Sequence, residues 1–176
     1  MRKLFCIAAI MLLVFIFACC GGHDDGNDCL SYEEKAFEGV FEVSTAELSF
    51  TACVKGAEWQ RDGGERRDVR IEFTSPRTLR GIVVTRSGGK TAVSLDGIVC
   101  EEQGGRDTFA QLSEFTCLFE LTLVPISFDI EGEDTRATFK DEYGRELLLL
   151  LGKNGLPKEI TDGRTTVRVI SYDMIE

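Results

Sequence analysis

The chain has 176 residues and a mass of 19.5 kDa, and 43% of its residues are apolar, which is enough for the hydrophobic core of one domain. Acidic residues outnumber basic residues by 30 to 20, so the net charge is −10 and nucleic acid is not an expected partner. The only histidine, His23, lies in a polar stretch near the N-terminus. This excludes Ser-His-Asp, Cys-His and multi-histidine metal sites within the domain, and the sequence indicates no catalytic residue, metal or cofactor.

Residues 1–18 have the pattern of a secretory signal peptide. Arg2 and Lys3 precede an almost wholly apolar run at residues 4–18. As a helix this run would span roughly 22 Å at ~1.5 Å per residue, which is shorter than the ~30 Å hydrocarbon core of a membrane. A permanent transmembrane anchor is therefore the weaker interpretation.

The end of the apolar run, Ile16-Phe17-Ala18-Cys19, resembles the lipobox of bacterial lipoproteins. The resemblance implies that Cys19 carries a diacylglycerol, that residues 1–18 are removed, and that the new amine is acylated, for example with palmitate. Cys20 is the alternative attachment site, and an ordinary signal peptide is the alternative to the lipoprotein type. Two or more acyl chains anchor a protein stably without a spanning segment. The expected location is the extracytoplasmic face of the cell membrane.

A flexible tether is predicted between this anchor and the folded part of the chain. Residues 21–28 contain three glycines, three aspartates and no apolar residue. We therefore expect residues 19–29 to be the lipidated cysteine and its tether, and residues 30–176 to be a single domain. Because the domain is acidic, an anionic lipid surface would repel it.

The cysteines that remain after signal removal and lipidation show no C-x-x-C or zinc-ligand spacing. They are Cys20, Cys29, Cys53, Cys100 and Cys117. One or two disulfides are possible outside the cytoplasm, and their pairing stays open. In apolar surroundings such as Ile98-Val99-Cys100, a cysteine is expected to be a small core residue.

Most of the chain after Phe37 has the pattern of an antiparallel sheet. Val69, Ile71 and Phe73 alternate with polar residues, which is typical of a strand with one buried face. Ser87-Gly88-Gly89-Lys90, Asn154-Gly155 and Asp162-Gly163 are hairpin signals. The predicted fold is mainly β (α+β), a curved antiparallel sheet or incomplete β-barrel of about eight strands with one or two helices on its concave side.

Two segments depart from the alternation. Near residues 108–119, Phe109, Leu112, Phe115 and Phe119 recur every three or four residues and predict an amphipathic helix that covers the sheet. The five consecutive leucines at 147–151 predict a strand that is buried on both faces.

Two short motifs in this pattern resemble the lipoprotein-carrier (LolA/LolB-like) superfamily. They are Ser75-Pro76-Arg77-Thr78-Leu79-Arg80-Gly81 between two strands, and Gly155-Leu156-Pro157-Lys158-Glu159-Ile160 before a last strand that ends in Tyr172-Asp173. The resemblance implies an incomplete β-barrel closed by helices, with an apolar interior that accepts acyl chains and no catalytic residues. It also implies a Gram-positive type of member that is itself a lipoprotein, some clostridial examples of which act in spore germination.

The leading hypothesis is an anchored lipoprotein that binds a lipid or lipidated molecule in the concavity of the sheet. The candidate ligand-binding residues are Phe73, Phe109, Leu112, Phe115 and Phe119, although aromatic residues at these positions can equally fill an ordinary core. The alternative is a non-enzymatic interaction or chaperone-like partner of an envelope or spore-germination protein. An enzyme ranks third, because adjacent acids such as Glu33-Glu34 and Glu101-Glu102 point apart in a strand and are solvated in loops.

Overall fold

The computed structural model describes residues 28–60, 66–101, 115–116, 120, 125–140 and 144–175. In these residues a short 3-10 helix, Asp28–Glu34, is followed by eleven strands. The strands are β1 (Ala36–Ser44), β2 (Ser49–Gly56), β3 (Val69–Ser75), β4 (Val83–Ser87), β5 (Lys90–Leu95), β6 (Ile98–Glu101), β7 (Pro125–Glu131), β8 (Asp134–Lys140), β9 (Glu146–Leu151), β10 (Pro157–Thr161) and β11 (Thr166–Ile175).

All eleven strands belong to one antiparallel sheet, in the spatial order β6-β5-β4-β3-β2-β1-β11-β10-β9-β8-β7. Strands adjacent in the chain pair with each other, except β6 and β7, and the first and last strands pair at the centre of the sheet. Strands β6 and β7 form the two edges and do not pair with each other. The sheet is therefore open and curved.

The strands bury one face of the sheet because apolar residues alternate with polar ones. In β3, Val69, Ile71 and Phe73 are buried while Arg70 and Glu72 are exposed. Successive side chains of a strand point to opposite faces, so the buried set lies on a single face. We call the face that carries the buried side chains the inner face, and the hydrophobic core lies on it.

A bulge at the centre of the sheet determines which residues of β11 reach the inner face. Phe41 pairs with Val169 and Val40 pairs with Ser171, so the register shifts at this point. Because one extra residue in β11 reverses the alternation, Val169 and Tyr172 both lie on the inner face. This places the Tyr172 ring against the N-terminal half of β1.

The predicted hairpins are confirmed. Ser87 pairs with Lys90 across the turn that joins β4 and β5, and Gly88 and Gly89 both have positive φ, 55° and 73°. Both central residues of a tight hairpin turn require such values, which glycine adopts without a steric penalty. In the last hairpin, the Asp162 carboxylate accepts hydrogen bonds from the amides of residues 164 and 165.

The predicted number of strands is wrong, because eleven are present where about eight were expected. Strand β6 (Ile98–Glu101) was missed since it has only four residues, all of them exposed, and so lacks the alternation by which a strand is recognised. The expected curved antiparallel sheet is present, and it does not close into a barrel, because the edge strands are unpaired with one another.

The predicted helix near residues 108–119 lies almost wholly outside the described residues. Only Phe115 and Thr116 of that segment are described, and they form part of a 3-10 turn. The described ranges contain no α-helix, and none of their helices is long and apolar enough to cross a membrane.

The expectation that the leucine run is buried on both faces is wrong. Leu147, Leu149 and Leu151 are buried on the inner face, whereas Leu148 keeps 37% of its surface exposed. The leucine run therefore packs as a strand with one buried face.

Cys100 was predicted as a core residue and is exposed instead. It lies on edge strand β6, paired with Val93 of β5, so its apolar neighbours in sequence do not enclose it. Cys53 is half-buried in β2, and both thiols are free.

Candidate functional site

The inner face carries a continuous apolar row across one half of the sheet. Strand pairing aligns Val167 with Ile160, then Leu149, Ala137 and finally Phe128 on the edge strand β7. The first four of these side chains have no exposed surface, whereas Phe128 has 43% exposed. The buried surface thus continues into an accessible apolar surface at the sheet edge.

Other apolar residues near Phe128 extend this accessible surface. Ile130 lies on the same side of β7 and is 80% exposed, and Ile126 is 59% exposed beside the bulge near Pro125. We call Ile126, Phe128 and Ile130 the β7 patch. Isolated exposed apolar residues are common on proteins, but a contiguous set that continues a core row is typical of a binding surface.

The opposite edge of the inner face has a similar arrangement. Ile71 and Val84 are fully buried, Val93 is partly buried, and Cys100 at the end of this row is exposed. In the hairpin that joins β5 and β6, Leu95 and Ile98 are 44% and 71% exposed. Apolar side chains on the inner face are therefore accessible at both ends of the sheet.

Two of the sequence-predicted binding residues meet through a third aromatic ring. Phe50 of β2 lies 5.0 Å from Phe73 and 5.6 Å from Phe115, measured between ring centroids. Phe73 and Phe115 are both buried, with 1% and 5% of their surface exposed. Phe115 therefore contacts the inner face of the sheet through Phe50.

The other sequence-predicted positions lie outside the described residues. They are the ligand-binding candidates Phe109, Leu112 and Phe119 and the lipid-attachment candidates Cys19 and Cys20. Their roles stay predictions.

A second aromatic cluster attaches the 3-10 helix to the sheet. The Phe37 ring stacks on Tyr172 at 5.0 Å between centroids, and Tyr32 of the helix meets Tyr172 edge-on at 6.0 Å. The Tyr172 hydroxyl donates a hydrogen bond of 3.3 Å to the carbonyl oxygen of Tyr32. Burial raises the pKa of Tyr172 above its ordinary value, so this hydroxyl stays protonated.

Sequence reasoning missed a group of buried charged side chains beside this cluster. Arg67, Arg86 and Glu33 expose 2%, 4% and 0% of their surface, although the Arg66-Arg67 pair has the appearance of a solvated turn in the sequence. The sequence did contain one indication, the two-residue spacing along a strand. Arg67 is two residues before the buried Val69, and Arg86 is two residues after the buried Val84, so both arginines belong to the inner face.

Arg86 holds two parts of this charged group together. Its Nε donates a hydrogen bond of 3.2 Å to the carbonyl oxygen of Arg67, and its Nη2 forms a buried ion pair with Glu120. Burial raises the pKa of the Glu120 carboxyl, while Arg86 acts in the opposite direction. Removing one partner of such a pair strongly destabilises the protein, because the other charge stays buried without its partner.

Arg67 is positioned mainly by aromatic rings. Its guanidinium carbon lies 5.0 Å from the centroid of Phe37 and 5.8 Å from that of Trp59, both within the range of cation–π attraction. Burial lowers the pKa of Arg67, whereas Tyr172 and Glu33 raise it. Arginine nonetheless remains protonated in proteins, so a buried positive charge lies at this corner of the inner face.

The described part of the chain contains no group of three or more His, Cys, Asp or Glu side chains that could hold a metal ion. Its buried chemistry is that of an apolar surface with one charged corner. Such an arrangement suits the binding of an amphiphile.

Comparison with solved structures finds similar folds at low sequence identity. An uncharacterised conserved protein from Thermus thermophilus has a TM-score of 0.51 and 12% identity, with 86% of each chain covered. MucB has a TM-score of 0.50 and 14% identity over 88% of this chain, which spans 60% of the MucB chain. A LolA superfamily protein from Nitrosomonas europaea has a TM-score of 0.41 and 9% identity, with 86% and 94% covered.

No protein-family model matches the sequence, and no curated protein matches it. The likeness to the Thermus protein and to MucB is therefore one of fold alone. It defines the class as proteins built on an open, curved antiparallel sheet.

Proposed function

We propose that this protein is a non-enzymatic, extracytoplasmic lipoprotein whose inner face binds the apolar chain of a lipid or lipidated molecule. The observation that carries the proposal is the continuous apolar row from Val167 to Phe128, which is fully buried at the sheet centre and 43% exposed at the edge. Apolar surface of this kind is stabilised when it is removed from water. An acyl chain placed against Phe128, at the exposed end of the row, would remove that surface from water.

The proposal assigns roles to the residues that the sequence singled out. Phe73 and Phe115 contact the ligand from the buried end, where Phe50 joins them, and Phe109, Leu112 and Phe119 contact it from the covering segment. Cys19, with Cys20 as the alternative, carries the diacylglycerol that holds the protein at the extracytoplasmic face of the membrane. These roles are consistent with the sequence resemblance to LolA/LolB-like carriers.

Native mass spectrometry of the full chain, purified from a lipid-containing host in a mild detergent, tests this function. A discrete mass in the lipid range that organic extraction removes would support it and identify the ligand class. A covalent anchor on Cys19 survives the same extraction, so it is distinguished from a bound ligand. A chain that carries no extractable mass and takes up neither fatty acids nor phospholipids would contradict the proposal.

A second candidate function is the binding of an envelope or spore-germination protein without any lipid ligand. The observation that favours it is the β7 patch, because β7 is an edge strand whose free backbone groups and exposed apolar residues can pair with a strand of another protein. Destabilisation of one envelope protein in a deletion strain, together with an empty inner face in the mass spectrum, would favour this candidate.

A further inference from the structure

The inner face has a charged corner for which an apolar ligand chain alone gives no role. Arg67 and Arg86 are 2% and 4% exposed, and Nη1 of Arg86 lacks a hydrogen-bond partner among the described residues. The three guanidinium nitrogens of Arg67 make no hydrogen bond of normal geometry there, although the Tyr172 hydroxyl lies close enough to affect the Arg67 pKa. A buried charged donor without an acceptor is strongly unfavourable, because it has lost its hydrogen bonds to water. These donors are left without an acceptor of normal geometry in the described part of the protein.

The donors are held in place by their surroundings. The carbonyl of Arg67 accepts a hydrogen bond from Arg86, and the Arg67 guanidinium lies against the rings of Phe37 and Trp59. Gly56 makes this packing possible, because a Cβ at that position would lie 2.9 Å from Cδ of Arg67. A preorganised guanidinium loses little entropy when it binds an anion.

The unpartnered guanidinium nitrogens at this corner favour an anion over a cation, because they can only donate hydrogen bonds. The Glu120 carboxylate interacts with Arg66, Arg67 and Arg86, and Glu33 interacts with Arg67. Among the buried groups, Arg67 and Arg86 are balanced by Glu33 and Glu120, and the exposed Arg66 adds one positive charge at the margin.

The charged corner also continues into the apolar surface. Arg86 is paired with Val69 across β3 and β4, and Val84 and Ile71 follow on the same face in the next row. A ligand whose anionic end lies at Arg86 would therefore have its apolar chain beside the core residues of these two strands.

We propose that Arg67 and Arg86 bind the oxyanion, a carboxylate or a phosphate, at the head of the amphiphile whose chain lies on the inner face. The inference rests on the proposed function and names its ligand class. The oxyanion accepts hydrogen bonds from the Arg67 guanidinium and from Nη1 of Arg86, while Nη2 of Arg86 keeps its ion pair with Glu120. An anionic lipid is thereby preferred to a neutral one of equal chain length.

Photocrosslinking of the full chain in membranes tests the preference. The probes are a diazirine-bearing C16 fatty acid, the fatty alcohol of the same chain, and a lysophospholipid with the same acyl chain. We expect the acid or the lysophospholipid to label the protein about tenfold more efficiently than the alcohol, which corresponds to one charge-assisted hydrogen bond. The probe that labels better shows whether the oxyanion is a carboxylate or a phosphate.

Two variants connect the preference to the arginines. Arg67→Met should reduce labelling by the anionic probe to the level of the alcohol, whereas Arg70→Met, on the exposed face of the following strand β3, should leave it unchanged. If Arg67→Met does not fold, the preference of the wild-type protein for the anionic probe over the neutral alcohol still tests the inference.

The outcomes separate this inference from the proposed function. Equal labelling by the anionic and neutral probes would overturn the headgroup site and leave the apolar site standing. No labelling by any probe would overturn both. Displacement of the acid probe by acetate or inorganic phosphate, but not by unlabelled fatty acid, would show a site for free anions and would also overturn the inference.

Discussion

Gly56 of β2 lies so close to Phe37 of β1 that no side chain fits between them. A Cβ built on Gly56 would be 2.3 Å from Cε1 of Phe37 and 2.9 Å from Cδ of Arg67. Gly56 and Phe37 are paired directly across the strands. The missing side chain thus brings an aromatic ring, a guanidinium and the sheet backbone together at the charged corner.

Gly56→Ala should therefore destabilise the protein by about 1–3 kcal/mol, the usual effect of overpacking a core. Urea denaturation of the full chain measures the change in the free energy of unfolding. The neighbouring Lys55→Ala is the control, because it removes only an exposed ion pair with Glu38 worth at most about 1 kcal/mol. Equal stability of Gly56→Ala and the wild type would show that Phe37 moves aside without cost.

The contact between Phe50 and Phe115 joins the sheet to the segment that the sequence predicted as its cover. Phe115→Ala should destabilise the protein by about 3–5 kcal/mol, since the ring is almost fully buried. A double-mutant cycle with Phe50→Ala should give a coupling energy of about 0.5–1.5 kcal/mol. Additive effects of the two substitutions would contradict the ring contact at 5.6 Å.

The raised pKa of Glu120 gives stability a defined dependence on pH. The folded state retains the proton at pH values where the unfolded state has lost it, so the contribution of Glu120 to stability declines as the pH rises from the unfolded pKa through the folded one. The stability of the wild type relative to Glu120→Gln should therefore increase as the pH is lowered from neutral into this window.

Thermal unfolding of the wild type and of Glu120→Gln across a pH series measures the difference in their stability. Glu72→Gln, which alters an exposed carboxylate on the outer face of β3, serves as the control and should show no such trend. A constant difference between wild type and Glu120→Gln would contradict the raised pKa.

The strands were predictable where alternation and turn chemistry agreed. Val69, Ile71 and Phe73 gave the inner face of β3, and glycine pairs such as Gly88-Gly89 located the hairpins. Edge strand β6 was not predictable, because its four residues are all exposed and show no alternation of apolar and polar side chains. The pairing of β1 with β11 depends on contacts between the two ends of the chain, which no local pattern contains.

The candidate site shows the same division. The burial of Phe73 follows from the alternation of apolar and polar residues in β3. The burial of Arg67 was missed because a charged residue next to Arg66 is usually solvated, and only the three-dimensional arrangement supplies the rings of Phe37 and Trp59 that cover it. The two-residue spacing between Arg67 and the buried Val69 was the one local indication that Arg67 is buried.

The exposed apolar residues of β7 should matter for binding and not for folding. Ile130→Ser removes a side chain that is 80% exposed, so the free energy of unfolding should change by less than about 0.5 kcal/mol. The amount of lipid retained in native mass spectrometry should nevertheless decrease. Leu148→Ser, on the outer face of β9, is the control and should retain lipid at the wild-type level. Equal retention by both variants would remove the β7 patch from the binding surface.

The two free cysteines of the described residues report on opposite faces of the sheet. Cys100 lies on the inner face at edge strand β6, in the row of Val93 and Val84, whereas Cys53 lies on the outer face of β2, between the inward-facing Ala52 and Val54. Cys100 is exposed and Cys53 is half-buried, so Cys100 should react faster with iodoacetamide when no ligand is present. A bound acyl chain should slow the alkylation of Cys100 severalfold.

Peptide mass spectrometry of the full chain, with and without added fatty acid, measures both rates in the same sample. The rate at Cys53 is the internal control, because a ligand on the inner face leaves the outer face accessible. Slower alkylation at both positions would indicate a general effect of the lipid on the protein or the reagent. An unchanged rate at Cys100, with bound lipid demonstrated in the same preparation, would show that the ligand does not reach β6 and would confine the binding surface to the half of the sheet that ends at β7.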